Sequence, residues 1–368
     1  MNAVQRIVVR VDASTEMGMG HLMRCLSLAR DLADDHGANV FFLLRSHAAH
    51  LTGLIEGEGH SVRLLPDPDR RPDAPADGTV YAHWLPTTWQ KDAEQTLEAI
   101  DRIGAVDWLI VDHYALDARW ERTQRKRVSR ILAIDDLADR DHDCDILLDQ
   151  NLVLEMDSRY SGRLPATCNA LLGPSYALLR PEFAERRKSL GERSGEVGRI
   201  LVCFGGSDPD NATAKALAAI KGLSERPLAL DVAIGLTNPN AVSIAGLCRE
   251  IPEATLYRGA DNVAELMKCA DLAIGAGGVM SWERCCLGLP TIAVDIAANQ
   301  IGALTALAEA GALVYLGKAA SVTGEQLASS IRSLLGDAPR TRKMGETALA
   351  LVDGHGTSRV VAEMTAMA

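Results

Sequence analysis

The sequence predicts an α/β protein made of two Rossmann-like domains facing each other across a cleft. Three observations lead to this. Short apolar runs alternate with amphipathic segments of helical length along the whole chain. Glycine-rich turns follow several of the apolar runs. After a polar stretch near mid-chain, the same alternation starts again.

Ile7-Val8-Val9-Arg10-Val11 reads as a buried strand. Leu22, Cys25, Leu26, Ala29, Leu32 and Ala33 then fall at i, i+3, i+4, i+7, i+10 and i+11. That is one apolar stripe at the helical period, so a helix is expected from His21 to His36, with Gly37 as its stop. Val40–Leu44, Trp108–Val111 and Ile131–Ile134 are further strands, the last two separated by a charged helix. Such strands imply a parallel sheet covered on both faces. Pro66–Ala76 is rich in proline and charge and is expected to be an exposed loop. The polar, glycine-dotted stretch Glu185–Gly198 marks the domain boundary. It gives an N-terminal domain over 1–190 and a C-terminal domain over 198–355. In the latter, Ile200–Phe204, Leu228–Ile234, Ala254–Tyr257, Leu272–Ile274 and Thr291–Val294 are the expected strands. Helices are expected at Glu325–Leu335, Arg340–Val352 and Ser358–Met367, and the last segment, 356–368, can pack back on the N-terminal domain.

Composition narrows the function. A chain of 368 residues favours two domains, and 47% hydrophobic with 24% charged residues is an ordinary globular profile. A formal charge of −11 removes the attraction that drives nucleic-acid binding. A small phosphorylated ligand stays open, because backbone N–H groups bind phosphate without net positive charge. No apolar stretch approaches the ~20 residues of a membrane span, and the opening MNAVQRIVVRVD does not read as a signal peptide. The eight cysteines form no CxxC pair and are expected to be buried reduced thiols, Cys285 and Cys286 in the core of a helix. A cytoplasmic protein, a monomer or weak homo-oligomer with neither nucleic-acid nor membrane partner, is the expectation.

Three glycine turns follow strands. In Gly18-Met19-Gly20-His21 the histidine enters a helix at its N-terminal end, where the dipole disfavours imidazolium and so suits a general base. A histidine that only caps or packs under the helix fits the same pattern. Gly205-Gly206-Ser207-Asp208 and Gly275–Glu283 each lead from a strand into a helix and could offer N–H groups to a diphosphate, or simply turn tightly. Neither has a P-loop lysine or a complete GxGxxG spacing. Glu283 could accept hydrogen bonds from a ribose diol, or compensate the helix terminus. Asp112-His113-Tyr114 and Asp135-Asp136 end strands on the same side. Adjacent carboxylates point different ways, so no metal site is assigned.

Taken together, RVDAS (10–14), GMGH (18–21), VDHYAL (111–116), IDDLADRDHDCDILLDQN (134–151), GPSYALLRPEF (173–183), CFGGSD (203–208) and the pair Asn299-Gln300 resemble a known family. It is the UDP-2,4-diacetamido-2,4,6-trideoxy-β-L-altropyranose hydrolase (PseG) family of pseudaminic acid biosynthesis. The chain is similar, more distantly, to the GT-B glycosyltransferase that makes lipid II. The resemblance covers roughly Val8 to Leu316. It implies a GT-B fold, a UDP-sugar substrate, no cofactor, and His21 as the base that activates water. It also implies substrate contacts at Asp12, Gly20, Tyr114, Arg180, Asn299 and Gln300. Glu283 would hold the ribose, the Ala260 backbone the uracil, and Gly205, Gly206, Gly277 and Gly278 the diphosphate. Met19 stands where a phenylalanine-like residue is expected, and the tail from Gly317 onward runs past the short family members. A GT-B glycosyltransferase, a catalytically silent nucleotide-sugar-binding protein and, more weakly, a UDP-sugar 2-epimerase are the alternatives.

Overall fold

A computed structural model of the protein describes all residues except 1–3, 15, 69–78, 207, 224–227 and 368. Residues 69–76 of the expected proline-rich loop therefore lie outside the described residues. The chain divides into two units. The first comprises Met1–Asn151, Glu155–Leu178 and Thr357–Ala368, and the second Leu152–Leu154 and Leu179–Gly356.

The first unit contains strands β1 (Arg6–Val11), β2 (Asn39–Arg45), β3 (Ser61–Leu65), β4 (Val106–Asp112), β5 (Val128–Ile134), β6 (Ile146–Asp149) and β7 (Asn169–Leu172). Its helices are α1 (Gly20–His36), α2 (Thr52–Gly57), α3 (Trp89–Ile103) and α4 (Ala118–Gln124). The sheet order is β3-β2-β1-β4-β5-β6-β7, and every neighbouring pair is parallel. Because side chains alternate along a strand, Ile7, Val9 and Val11 enter one apolar layer with Leu22, Leu26 and Ala29 of α1. Val8 enters the other with Ile100 and Trp120. Helix α1 stops at Gly37, whose φ of 66° is the left-handed conformation glycine adopts without a Cβ clash.

The second unit runs through α5 (Pro181–Lys188), β8 (Arg199–Cys203), α6 (Ala212–Lys221), β9 (Ala229–Ile234), α7 (Ala241–Arg249), β10 (Ala254–Arg258) and α8 (Val263–Cys269). It continues with β11 (Leu272–Ala276), α9 (Val279–Cys286), β12 (Thr291–Asp295), α10 (Ile301–Glu309), β13 (Val314–Lys318), α11 (Gly324–Leu335) and α12 (Ala338–Leu351). Its parallel sheet has the order β10-β9-β8-β11-β12-β13. Helix α5 runs into the polar stretch that starts at Glu185, and it lies in this unit. Arg187 holds it there: Nη1 donates to the carbonyls of Cys286 and Val352, and Nη2 to that of Leu349.

The final helix, α13 (Gly356–Ala366), belongs from Thr357 onward to the first unit. Val360, Val361 and Met364 are buried in the same layer as α1. All eight cysteines are free thiols. Six are buried, Cys168 is half-buried and Cys269 is exposed. Among the described residues no helix is long and apolar enough to cross a membrane.

Two buried ionic networks fix the first sheet. Arg10 pairs with Asp12 and Asp92, both at 2.8 Å, and the Asp12 carboxylate also accepts the Arg45 N–H at 2.7 Å. The second lies beside β5. His142 meets Glu121 at 2.8 Å and Asp135 at 3.6 Å. Burial opposes its charge, but these two carboxylates outweigh burial and raise its pKa to about 9. The ordinary histidine value lies near 6.5. The stabilisation is therefore complete below that value and is lost as pH rises through about 9.

Two outcomes follow. Met364→Ala should lower unfolding stability by about 2–5 kcal/mol in urea titrations, the usual cost of emptying a fully buried site. Melting temperature should decline between pH 7 and 9, and His142→Gln should flatten that decline while lowering stability at pH 6.

Candidate active site

In open parallel sheets, ligands bind at the carboxyl ends of strands where the connection direction reverses. In the first sheet that point lies between β1 and β4. His21 enters α1 just after β1, and Asp112 is the last residue of β4, in register with Val11. The imidazole and the carboxylate meet there: His21 Nδ1 is 2.6 Å from Asp112 Oδ1. The neighbour that made this possible is Arg24, one helical turn on and on the same face as His21. Its Nε and Nη2 donate to the two oxygens of Asp112, each at 2.6 Å, and its Nη1 pairs with Asp136 at 3.0 Å.

Asp112 is fully buried. Burial alone would raise its pKa, but Arg24 and then His21 outweigh burial and hold it well below the carboxylate range. An ionised carboxylate only accepts hydrogen bonds, so its 2.6 Å contact favours the His21 proton on Nδ1 over the longer 3.2 Å approach of Arg24 Nη2, which could only donate. Nε2 then carries the lone pair, and it has no hydrogen-bond partner among the described residues. His21 is 6% exposed. The ring plane is set by aromatic neighbours. Tyr114 stands edge-on at 4.7 Å and Trp84 at 6.0 Å, while Trp84 and Tyr114 stack at 5.2 Å. The Tyr114 hydroxyl donates to Asp136. No side chain caps α1, so His21 spends its hydrogen bond on Asp112 rather than on the helix terminus. An imidazole oriented by a carboxylate in this way has the geometry that proton transfer requires.

Gly20 is the first residue of α1 and places His21. The structure locates Asp12 elsewhere than a ligand-contacting position would be. It is fully buried, and both its oxygens serve Arg10, Arg45 and His113. An acid at a strand end reads the same in sequence whether it faces solvent or the interior. Asp135 is likewise buried, paired with Arg140 at 2.8 Å. Sequence reasoning missed Arg24, the Asp112 partnership with His21, and Trp84. An i, i+3 search from His21 would have found Arg24.

The second unit carries a separate pocket at its own reversal point, between β8 and β11. Cys203, Gly205, Gly206, Ala260, Arg180 and Glu283 all line it. Glu283 is 8% exposed, with Arg180 Nη2 3.6 Å from its carboxylate. Burial raises the Glu283 pKa, and Arg180 opposes the rise. Gly277 and Gly278 turn into α9 beside Gln300: a Cβ at Gly277 would stand 2.9 Å from the Gln300 Cβ. The Gln300 side-chain oxygen accepts the Ile296 N–H at 3.0 Å, so this amide holds the turn. Asn299 sits beside it in the short turn Ala298–Gln300. The Gly205–Asp208 turn does not present an open helix terminus, because the Asp208 carboxylate takes the N–H groups of Ala212 and Thr213 at 2.8 and 2.9 Å. Among the described residues no cluster of metal-ligating side chains is present.

These two sheets, with their helices and strand orders, are those of the GT-B class. The chain superposes on MurG of Acinetobacter baumannii with a TM-score of 0.68 and 16% identity, over 98% of this chain and 99% of that one. It superposes on spinosyn rhamnosyltransferase SpnG complexed with thymidine diphosphate with a TM-score of 0.60 and 17% identity, over 98% and 100%. By sequence, the family resemblance holds. The chain is 25% identical over 309 residues to the UDP-2,4-diacetamido-2,4,6-trideoxy-β-L-altropyranose hydrolase of Campylobacter jejuni, 83% of this chain and 97% of that protein. It is 26% identical over 293 residues to an uncharacterised protein of Methanocaldococcus jannaschii, 78% of this chain and 55% of that one. It is 29% identical over 164 residues to the spore coat polysaccharide biosynthesis protein SpsG of Bacillus subtilis, 44% of this chain and 48% of that one. The chain thus spans about half the length of the latter two relatives. No protein-family model matches it.

The oriented imidazole gives a direct check. Nitrogen-15 NMR of the neutral His21 ring should show the Nδ1-protonated tautomer, and Asp112→Leu should abolish that preference. A ring that stays Nε2-protonated in the unaltered protein would contradict the assignment.

Proposed function

We propose that this protein hydrolyses a UDP-linked 2,4-diacetamido-2,4,6-trideoxy sugar to free sugar and UDP, with His21 as the general base. The observation that carries the reading is the His21–Asp112 pair at 2.6 Å, set at the reversal point of the first sheet with Nε2 unengaged. The likeness to the Campylobacter jejuni hydrolase over 97% of that protein supports the substrate class.

In this mechanism the second unit binds the nucleotide. The Ala260 backbone takes the uracil, Glu283 the ribose diol, and the turns at Gly205-Gly206 and Gly277-Gly278 the diphosphate. Arg180, Asn299 and Gln300 are assigned to the sugar side, while Tyr114, 1% exposed and with its hydroxyl on Asp136, sets the His21 ring rather than touching the sugar. His21 Nε2 removes a proton from water. The water oxygen bonds to the anomeric carbon as the bond from that carbon to the diphosphate oxygen breaks, and UDP departs with the electron pair. Attack opposite the leaving group inverts the anomeric centre. Diphosphate is a stable leaving group, so no strong acid is needed, and N–H groups can stabilise its growing charge. Asp112 keeps the base in its productive tautomer and stabilises the imidazolium as it forms. The product fits a place in nonulosonic acid biosynthesis.

The decisive experiment is incubation with a panel of UDP-linked 2,4-diacetamido sugars and no acceptor, followed by NMR of the released anomer. Free sugar of inverted configuration is expected. Release only on addition of a hydroxyl acceptor would make the protein a glycosyltransferase, and UDP protection without turnover would make it a silent binder. His21→Asn should lower kcat by about 10²–10⁴-fold, the usual contribution of a general base, while UDP still binds. Turnover near that of the unaltered protein would remove His21 from the mechanism.

A further inference from the structure

Arg284 is the second residue to consider in helix α9. It follows Glu283 in sequence, but its side chain turns inward and is 2% exposed. No carboxylate lies within ion-pair distance of it among the described residues. Its Nη2 donates to the carbonyl of Ala276 at 2.6 Å and approaches Ser281 Oγ at 3.3 Å, and its buried Nε has no partner. Nη1 lies against the floor of the turn. A Cβ at Gly275 would stand 2.9 Å from it and 2.3 Å from the carbonyl oxygen of Cys203, a residue that lines the pocket. Burial pushes the Arg284 pKa down from its ordinary value, against the opposing pull of Cys285, Cys203 and Glu283. Arginine nevertheless remains charged in proteins, because its starting value is so high.

A buried cation that lacks an acid partner is costly, and proteins rarely keep one without compensation. Among the described residues the other buried arginines follow that rule: Arg10 and Arg24 each hold two carboxylates, and Arg45 and Arg140 are also paired. Arg284 breaks it at one particular place, behind the turn from β11 into α9. That turn is electropositive for a second reason. Gly278 caps α9 with no side-chain acceptor, and the first turn of the helix carries no acid. The other glycine turn in the unit is the opposite case, since the Asp208 carboxylate already fills the α6 terminus.

We propose that Arg284 is a built-in counter-charge for the diphosphate, acting from beneath the Gly275–Gly278 turn without touching the ligand. The inference rests on the nucleotide reading of this pocket and deepens it: of the two turns assigned to the diphosphate, the β11–α9 turn has a protein cation behind it, whereas the α6 terminus beside the β8–α6 turn is already answered by Asp208. Arg284 is a positioning residue here. Its charge raises the potential at the open N–H groups of α9, and the ligand's phosphates supply the negative charge that the protein omits.

Calorimetric titration of the full chain with UDP, uridine and inorganic pyrophosphate tests this. Arg284→Met, which removes the charge and keeps the bulk, should weaken UDP and pyrophosphate binding by about tenfold or more and change uridine binding by less than about twofold. The free variant should melt no lower than the unaltered protein, because an unpaired buried charge has gone. Arg284→Lys should retain UDP affinity within a few fold. Equal loss of UDP and uridine in Arg284→Met, or unchanged UDP binding, overturns the role. So does a Lys variant as weak as the Met variant. If Arg284→Met does not fold, Arg284→Gln is compared with Arg284→Lys on the same three ligands. Should the unaltered protein bind pyrophosphate but not uridine, the nucleotide reading falls. The counter-charge then stands or falls on pyrophosphate alone, and failure to bind any of the three overturns both.

Discussion

A carboxylate cannot be sealed into the end of a parallel sheet unless cations answer it. Asp112 is sealed in this way, and most of the first unit's site follows from how it is answered. Arg24 grips both oxygens, His21 takes one of them, and the remaining arm of Arg24 reaches Asp136, which in turn receives the Tyr114 hydroxyl. Each member is fixed by the next. The orientation of His21 is thus a by-product of satisfying a buried charge, and it needs no separate loop or ligand to maintain it.

The two units solve the electrostatic problem in opposite ways. In the first, acids and bases at the strand ends are paired within the protein: Arg10 with Asp12 and Asp92, Arg140 with Asp135, His142 with Glu121. Beside that pairing, His21 Nε2 has no hydrogen-bond partner among the described residues. In the second, a glycine directly follows β9, β10 and β11 (Gly235, Gly259 and Gly277), the lining carries few charges, and a cation is held back behind the backbone. The first pattern is suited to moving a proton. The second is suited to receiving an anion.

Central strands were plain in the sequence because they are buried on both faces: β1, β4, β5, β8 and β11 are nearly unbroken apolar runs. The outlying strands were less so. Edge strand β10 is legible at Ala254–Tyr257, but β3 and β13 are largely half-buried or exposed, and β6 and β7 are four residues long, so none of these four carries a run long enough to stand out. The site divides in the same manner. His21 announces itself by its glycine turn, and Glu283 by its place after the Gly275–Gly278 turn. The partnership of His21 with Asp112, 91 residues away, depends on β1 lying next to β4, and no local pattern encodes that. Asp12 shows the converse: its motif is legible, but whether the carboxylate faces outward or inward is decided only by Arg10 and Arg45.

The placement of α13 has a consequence for how the chain matures. Residues 179–356 form the second unit, whereas Val360, Val361 and Met364 complete the core of the first. During synthesis from the N-terminus, the first sheet emerges early but lacks part of one apolar layer until Val360, Val361 and Met364 have followed the whole second unit. The second unit meanwhile is contiguous apart from three residues and can close on its own. The second unit can therefore close while the unit that holds His21 still lacks Val360, Val361 and Met364.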